Sequence, residues 1–340
     1  MTTGRVRTKK TGVRSLASKL PEEQISIGNV TASNGSRAQH MKTPFGYFGS
    51  KQRLASRIAA SLPRHNAWVE AFCGSAAVTL VKKPAPIEII NDLDRQIVNF
   101  FQQLREHSDE LCRSVMLTPY AREEFESTRA VDETLSKLEQ ARRFLVASMM
   151  TVNGDFGSNH SGGKHSGFSY SQSYSRNGLE ARVNRWNALP IRLRKVIERL
   201  KNVRVENRDA KDLLRMFFDR PATLMYLDPP YLMDRDHGYT TDANEESFHK
   251  ELLELCCRAR CMVLISGYDN DLYDSILTRK RGWKRVRIKT HTRDTRGNDY
   301  SRTEVLWKNK VFVKAEREGK VPIRLTAEEK AQNKVNPRRK

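Results

Sequence analysis

The chain's 340 residues include 61 Lys plus Arg against 40 Asp plus Glu, a formal net charge of +21, a balance suited to a polyanionic partner, with nucleic acid first among them. No apolar run is long enough to span a bilayer and no amphipathic stretch reads as an anchor, which sets membrane binding aside. The N-terminus lacks the apolar core of a secretory signal, and five cysteines form an odd set without disulfide spacing, so a reducing cytoplasm is the expected compartment.

Residues 1–42 carry Arg5, Arg7, Lys9, Lys10, Arg14 and Lys19 without a long apolar stripe, and read as a flexible basic arm. A Gly-containing loop, Tyr47-Phe48-Gly49-Ser50-Lys51, then precedes a helix with Leu54, Ile58 and Leu62 on one stripe. Strands are predicted at 68–72 and 87–91, and a helix at 94–106 places Ile97, Phe101 and Leu104 on one face. Together, 43–106 form the first part of an α/β domain.

The alternation breaks over 107–200, which reads as an inserted helical subdomain. Thr118-Pro119 is placed at the opening of a helix, and 138–150 and 189–200 also have helical period. Between them, the Gly- and Ser-rich 153–178 reads either as a disordered linker or, favoured by its interleaving of Phe156, Phe168, Tyr170 and Tyr174 with His160, Lys164, His165 and Arg176, as a nucleic-acid-facing loop. The second part of the domain, 201–313, resumes with strands at 203–206, 223–228 and 261–266, helices at 209–218, 245–260 and 270–280, and a closing hairpin of 284–290 with 303–308. Residues 314–340 read as a basic tail. Cys256, Cys257 and Cys261 cluster, but no fourth ligand completes a zinc site, so they are read as core and no metal is expected. The whole is a doubly wound α/β sheet with an antiparallel edge.

Ligands of such sheets bind beyond the carboxyl ends of the strands, where the strand 223–228 delivers Asp228, Pro229, Pro230 and Tyr231. An aromatic amine delocalises its lone pair into the ring; two acceptors for its two hydrogens hold the nitrogen nearer tetrahedral geometry, ready to attack a sulfonium methyl. The Asp228 carboxylate and Pro229 carbonyl suit that task, and Tyr231 offers a stacking face for an extruded base. A strand-ending turn explains the same four residues, since Asp and Pro favour turns. Other strand ends supply Phe72-Cys73-Gly74 in a small-residue turn and Asn91-Asp92, an acid placed for ribose hydroxyls.

In this order, Tyr47–Lys51, then Phe72-Cys73-Gly74, then the insertion, then Asp228-Pro229-Pro230-Tyr231, the chain resembles the permuted, alpha-class Dam-type adenine-N6 DNA methyltransferases, bacteriophage and restriction-modification relatives included, over about 44–309. The resemblance implies a Rossmann-like methyltransferase sheet using S-adenosyl-L-methionine, with the insertion reading the DNA target. It implies that Tyr47 and Lys51 line the cofactor pocket, that Phe72 and Gly74 flank the cofactor, that Asp92 binds its ribose, that Asp209 approaches its adenine, and that Asp228 faces both cofactor and target amine. Two positions depart from the family pattern: Ser75 stands where a second glycine is usual, and Ser50 where the first motif usually has one.

The function implied is methyl transfer to N6 of a flipped-out adenine in double-stranded DNA. The same acceptor geometry suits cytosine N4 or a protein glutamine, and a catalytically silent DNA-binding relative would share the charge. For phosphate contacts the candidates are Arg192, Arg194, Lys195, Arg199, Lys201 and Arg204, and around the hairpin Lys284, Arg285, Arg287, Lys289, Arg293 and Arg296, of which only a subset is expected to touch DNA. A monomer or weak dimer is expected.

Overall fold

A computed structural model of the chain describes residues 41–47, 49–152, 167–172, 175–176, 178–230, 232, 246–293 and 299–322, the side chains of 176 and 290–302 excepted. A 3-10 turn, Lys51–Arg53, leads into α1 (Ala55–Ala60), β1 (Ala67–Glu70), α2 (Ala77–Val81), β2 (Ile87–Asn91) and α3 (Arg95–Glu106). There follow α4 (Ser108–Leu117), α5 (Arg122–Glu126), α6 (Lys137–Met150), a short pair β3 (Ser175–Arg176) and β4 (Leu179–Glu180), α7 (Ala181–Asn187) and α8 (Leu189–Leu200). Next come β5 (Val203–Glu206), α9 (Ala210–Phe217), β6 (Thr223–Leu227), α10 (Glu246–Arg258), β7 (Met262–Gly267) and α11 (Asp271–Ile276). The described chain closes with β8 (Lys284–Arg293), β9 (Asp299–Lys308) and α12 (Lys310–Glu318).

The strands form a seven-stranded sheet in the order β5-β2-β1-β6-β7-β9-β8. The first five run parallel, β9 is antiparallel to β7, and β8 to β9. β1 lies between β2 and β6, with Glu70 level with Ile90 on one side and Tyr226 on the other. The chain order reverses at β1 and β6, the place where open α/β sheets leave a crevice beyond their carboxyl ends.

Near-continuous apolar strands are what burial on both faces requires. Trp68, Leu224, Tyr226, Met262, Leu264 and Leu306 pack toward α1, α2 and α12, while the alternate residues Val69, Met225, Leu227, Val263, Ile265 and Trp307 pack toward α9, α10 and α11. Cys256 and Cys261 belong to the second of these cores, and burial pushes both thiols up. No helix among the described residues is long and apolar enough to cross a membrane, nor do they hold a cluster of His, Cys, Asp or Glu suited to a metal ion.

The helices α4 to α8 share one apolar core with α3. Phe45, from the segment before α1, meets Phe100 of α3 at 5.1 Å and Phe144 of α6 at 4.9 Å between ring centroids, both edge to face. Aromatic packing thus ties the helical stretch to the parallel half of the sheet.

Three local expectations change. Thr118 and Pro119 end a helix instead of opening one: the Thr118 N–H and hydroxyl close on the Ser114 carbonyl at the end of α4, and proline cannot extend it. The predicted helix 270–280 stops at Ile276, and a separate 3-10 turn at Arg279–Arg281 ends on Gly282 at φ +87°. Residues 310–318, partly assigned to the tail, form α12, because Asn309 caps its start and Phe312 and Ala315 bury against the sheet. Within 153–178, Phe168 and Tyr170 are described; Phe156, His160, Lys164, His165 and Tyr174 lie outside the described residues, as do 1–40 and 323–340.

Candidate active site

The carboxyl ends of β1, β2, β5 and β6 open into one cleft of about 920 Å³, open solvent at its mouth included. Of the residues singled out from the sequence, Tyr47, Lys51, Phe72, Gly74, Asp92, Asp209, Asp228, Pro229 and Pro230 all line it. Tyr231 lies outside the described residues, as does Phe48.

The turn after β1 forms the floor. Gly74 has φ +46°, and a Cβ there would stand 3.0 Å from the Tyr47 ring, so glycine lets that ring lie on the backbone. The Gly74 N–H donates to Asp92 Oδ2 at 2.8 Å, while Asp94 N–H donates to Oδ1 at 3.0 Å. Burial pushes the Asp92 carboxyl up to about 6 against these two donors. Asn91 joins the strand ends: its Nδ2 donates to the Ala71 and Arg208 carbonyls, and its Oδ1 accepts from the Arg208 N–H. Asp209 caps α9 by accepting from Lys211 N–H at 2.7 Å.

Ser50 and Ser75 face each other, their hydroxyls 2.9 Å apart, and so join the two loops that line the cleft. Neither takes a left-handed backbone. The second position in that turn that calls for glycine is Ala76, at φ +54° and ψ +37°, one residue beyond Ser75. The departure read at Ser75 is therefore conformationally neutral, and the strain sits on Ala76.

At the end of β6, Asp228 Oδ1 receives two donors, Ser266 Oγ of β7 at 2.8 Å and Lys51 Nζ at 2.9 Å. Ser266 is in turn 2.9 Å from the Tyr226 hydroxyl. Lys51 also meets Glu304 of β9 at 3.2 Å and the Gly49 carbonyl at 3.3 Å, with little of its side chain in water. A buried lysine needs such partners to stay charged. The ammonium thus bridges the catalytic candidate and the antiparallel half of the sheet.

Four residues of this arrangement escaped the sequence reading. Glu70, the last residue of β1, is buried in the cleft wall, accepts from the Thr79 N–H at 2.9 Å and from the Thr79 hydroxyl, and is pushed up to about 7, chiefly by burial. Its signal was a carboxylate within an otherwise apolar strand. Ser266 is a hydroxyl at the end of the apolar run of β7, and Glu304 borders the apolar Val305-Leu306-Trp307 of β9. Phe248 of α10 sets its ring edge to face with Phe72 at 6.5 Å, giving the cleft an apolar side, and nothing in its local sequence marks it.

The donor set suits a nucleoside that carries a cationic amino-acid tail. Carboxylates at Glu70, Asp92, Asp209 and Asp228 answer positive groups and hydroxyls, the Phe72 and Phe248 rings offer an apolar slot, and Gly74 permits close backbone approach.

A family model described as D12 class N6 adenine-specific DNA methyltransferase matches residues 47–292. Among curated proteins none matches the sequence. Similar solved structures include a precorrin-8w decarboxylase of Methanobacterium thermoautotrophicum, 11% identical over 76% of this chain and 89% of that one, at a TM-score of 0.33. Another is a precorrin-6y C5,15-methyltransferase of Geobacter metallireducens, 9% identical over 76% and 87%, at 0.34.

Proposed function

The chain belongs to the D12 class of N6 adenine-specific DNA methyltransferases, and from that premise we propose that it methylates N6 of an adenine swung out of duplex DNA into the cleft at Asp228. S-adenosyl-L-methionine is its cofactor and supplies an electrophilic methyl on sulfur. The observation that carries the reading is the placement of Asp228 at the end of β6, with one carboxylate oxygen fixed by Ser266 and Lys51, in the same cleft as Glu70 and Asp92.

The roles follow from charge and shape. Asp92 accepts ribose hydroxyls, for which its turn-bound carboxylate is already oriented. Glu70 answers the cofactor's ammonium, a partner that offsets its burial as a charged group. Phe72 and Phe248 would offer the cofactor's purine an apolar surface, and Asp209 would meet its polar edge. Tyr47 closes over Gly74. Asp228 and the Pro229 carbonyl accept the two hydrogens of the target amine, and Pro230 stiffens the turn that presents them. Tyr231 stacks on the extruded base.

Incubation of duplex DNA with the protein and methyl-labelled cofactor, followed by digestion to nucleosides, identifies the acceptor. Label in N6-methyladenosine's deoxy form supports the reading; label in N4-methylcytosine or in protein contradicts it.

A further inference from the structure

Of the twelve basic residues proposed from sequence as phosphate contacts, half (Arg199, Lys201, Arg204, Lys284, Arg285 and Arg287) pair with carboxylates within the protein, and Arg296 and the Arg293 side chain lie outside the described residues. Arg199 holds buried Glu88 at 2.6 Å. Lys201 meets Glu198, Arg204 meets Glu206, and on the hairpin Arg285 and Arg287 both meet Asp269. Internal pairs of this kind leave less charge for an external anion.

The face of α7 and α8 differs. Arg182 and Arg185 stand three residues apart and Arg192 seven further on, spacings that return to one side of a helix. Ala188, between the two helices, keeps helical backbone, and both the Ala188 N–H and the Arg192 N–H bond four residues back. None of the ion pairs among the described residues involves Arg182, Arg185 or Arg192, whereas further along the same segment Arg199 pairs with Glu88 and Lys201 with Glu198. Glu180, next in the chain to this face, caps α7 by accepting from Val183 N–H at 2.7 Å. Loss of water around the head group, then the charge of Arg182, lowers Arg185; the same crowding, then Arg185, brings Arg192 down to about 10. Folding therefore gathers like charges that a bound polyanion would relieve.

Beside them lies a second feature. The Arg122 guanidinium stands over the Phe168 ring at 5.0 Å and the Tyr170 ring at 5.7 Å. Those two rings are nearly parallel, and Tyr170 is 57% exposed. Tyr120 connects the halves: its ring is 5.2 Å from Phe168, its hydroxyl donates to the Ser169 carbonyl, and it feels the charges of Arg182 and Arg185.

We propose that Arg182, Arg185 and Arg192, with the Arg122 stack on Phe168 and Tyr170 beside them, form the surface that grips the phosphate backbone of the duplex. The inference rests on the DNA-methylating reading above and adds which surface carries the substrate. Charge complementarity selects the occupant, since a net charge of +21 and a cluster without counter-ions among the described residues fit a polyanion.

The test is binding of a labelled duplex to the full chain across about 50–200 mM salt, where the slope of log K against log salt counts phosphate contacts at about 0.9 each. The Arg185→Gln, Arg192→Gln double variant is expected to lower the slope's magnitude by about 2, with cofactor binding unchanged. A control double variant, Lys201→Gln with Arg204→Gln, removes two charges that are already paired and is expected to leave the slope near wild type. Should the first double variant fail to fold, Arg185→Gln alone lowers the slope by about 1. An unchanged slope in the Arg185 and Arg192 variants, or an equal drop in the control, overturns the proposal. Wild-type protein that methylates adenine while these slopes stay unchanged overturns this surface alone; wild-type protein that yields no methylated nucleoside overturns the function, and the slopes still report on the surface.

Discussion

Replacing Glu70 by glutamine should stabilise the cofactor-free protein at alkaline pH and weaken it for its cofactor. The Glu70 carboxyl sits at about 7 in the fold against an ordinary 4.5, because burial disfavours its charge and Asp228 adds to the repulsion. A carboxyl raised on folding contributes stability that is fully present below its unfolded value and is lost as pH rises through the folded one. Between pH 5 and pH 8 the shift corresponds to a loss of about 2.5 kcal/mol from this one group. Glutamine keeps the shape and can still accept from Thr79 N–H at 2.9 Å, but does not titrate. Urea unfolding at the two pH values reads the effect: the stability of Glu70→Gln relative to wild type should rise by about 2.5 kcal/mol from pH 5 to pH 8. All other titrating groups cancel in that difference. A variant-to-wild-type difference that is the same at both pH values would refute the assignment of a buried, neutral Glu70.

Further expectations follow from the same geometry. Wild-type affinity for the cofactor should rise with pH between about 6 and 8 as Glu70 ionises, and this rise should vanish in Glu70→Gln; calorimetric titration at a series of pH values reads it, and a flat wild-type profile counts against an ammonium partner for Glu70. Ser266→Ala removes a 2.8 Å donor to Asp228 and should lower kcat by about tenfold, roughly the 1–1.5 kcal/mol of one such bond, with cofactor Kd unchanged and recovery in Ser266→Thr; an unaltered kcat would remove Ser266 from the positioning of Asp228. Gly74→Ala puts a Cβ 3.0 Å from the Tyr47 ring at a φ of +46°, and should cost about 1–3 kcal/mol on thermal unfolding. Unchanged stability would show that the loop yields freely.

The parallel half of the sheet was legible because its strands are short, apolar and followed by helices of clear period, and the carboxylates Asp92 and Asp228 stand where those strands end. Helix boundaries at Thr118 and Ile276 were less so: Thr-Pro marks both a start and a stop, and only the preceding helix decides which. The α12 helix escaped notice because two buried residues, Phe312 and Ala315, suffice to dock it among charged neighbours. In the cleft, motif residues were readable one at a time, whereas Glu70 acts through Thr79 of α2, Glu304 through Lys51 of the 3-10 turn and Ser266 through Asp228 at the end of the neighbouring strand, partners that only the folded chain brings together. At Ser75 the sequence shows only that a small residue stands there, while backbone dihedrals show that Ala76 bears the strain.

The central claim, that Asp228 holds the amine of an adenine for methylation, is tested most directly by comparing wild type with Asp228→Ala in a single-turnover assay on duplex DNA, with cofactor binding measured in parallel. The account predicts methyl label in N6-methyladenine for the wild type, a loss of at least about 100-fold in rate for the variant, and retained cofactor binding. Methylation of adenine at an undiminished rate by Asp228→Ala would contradict it.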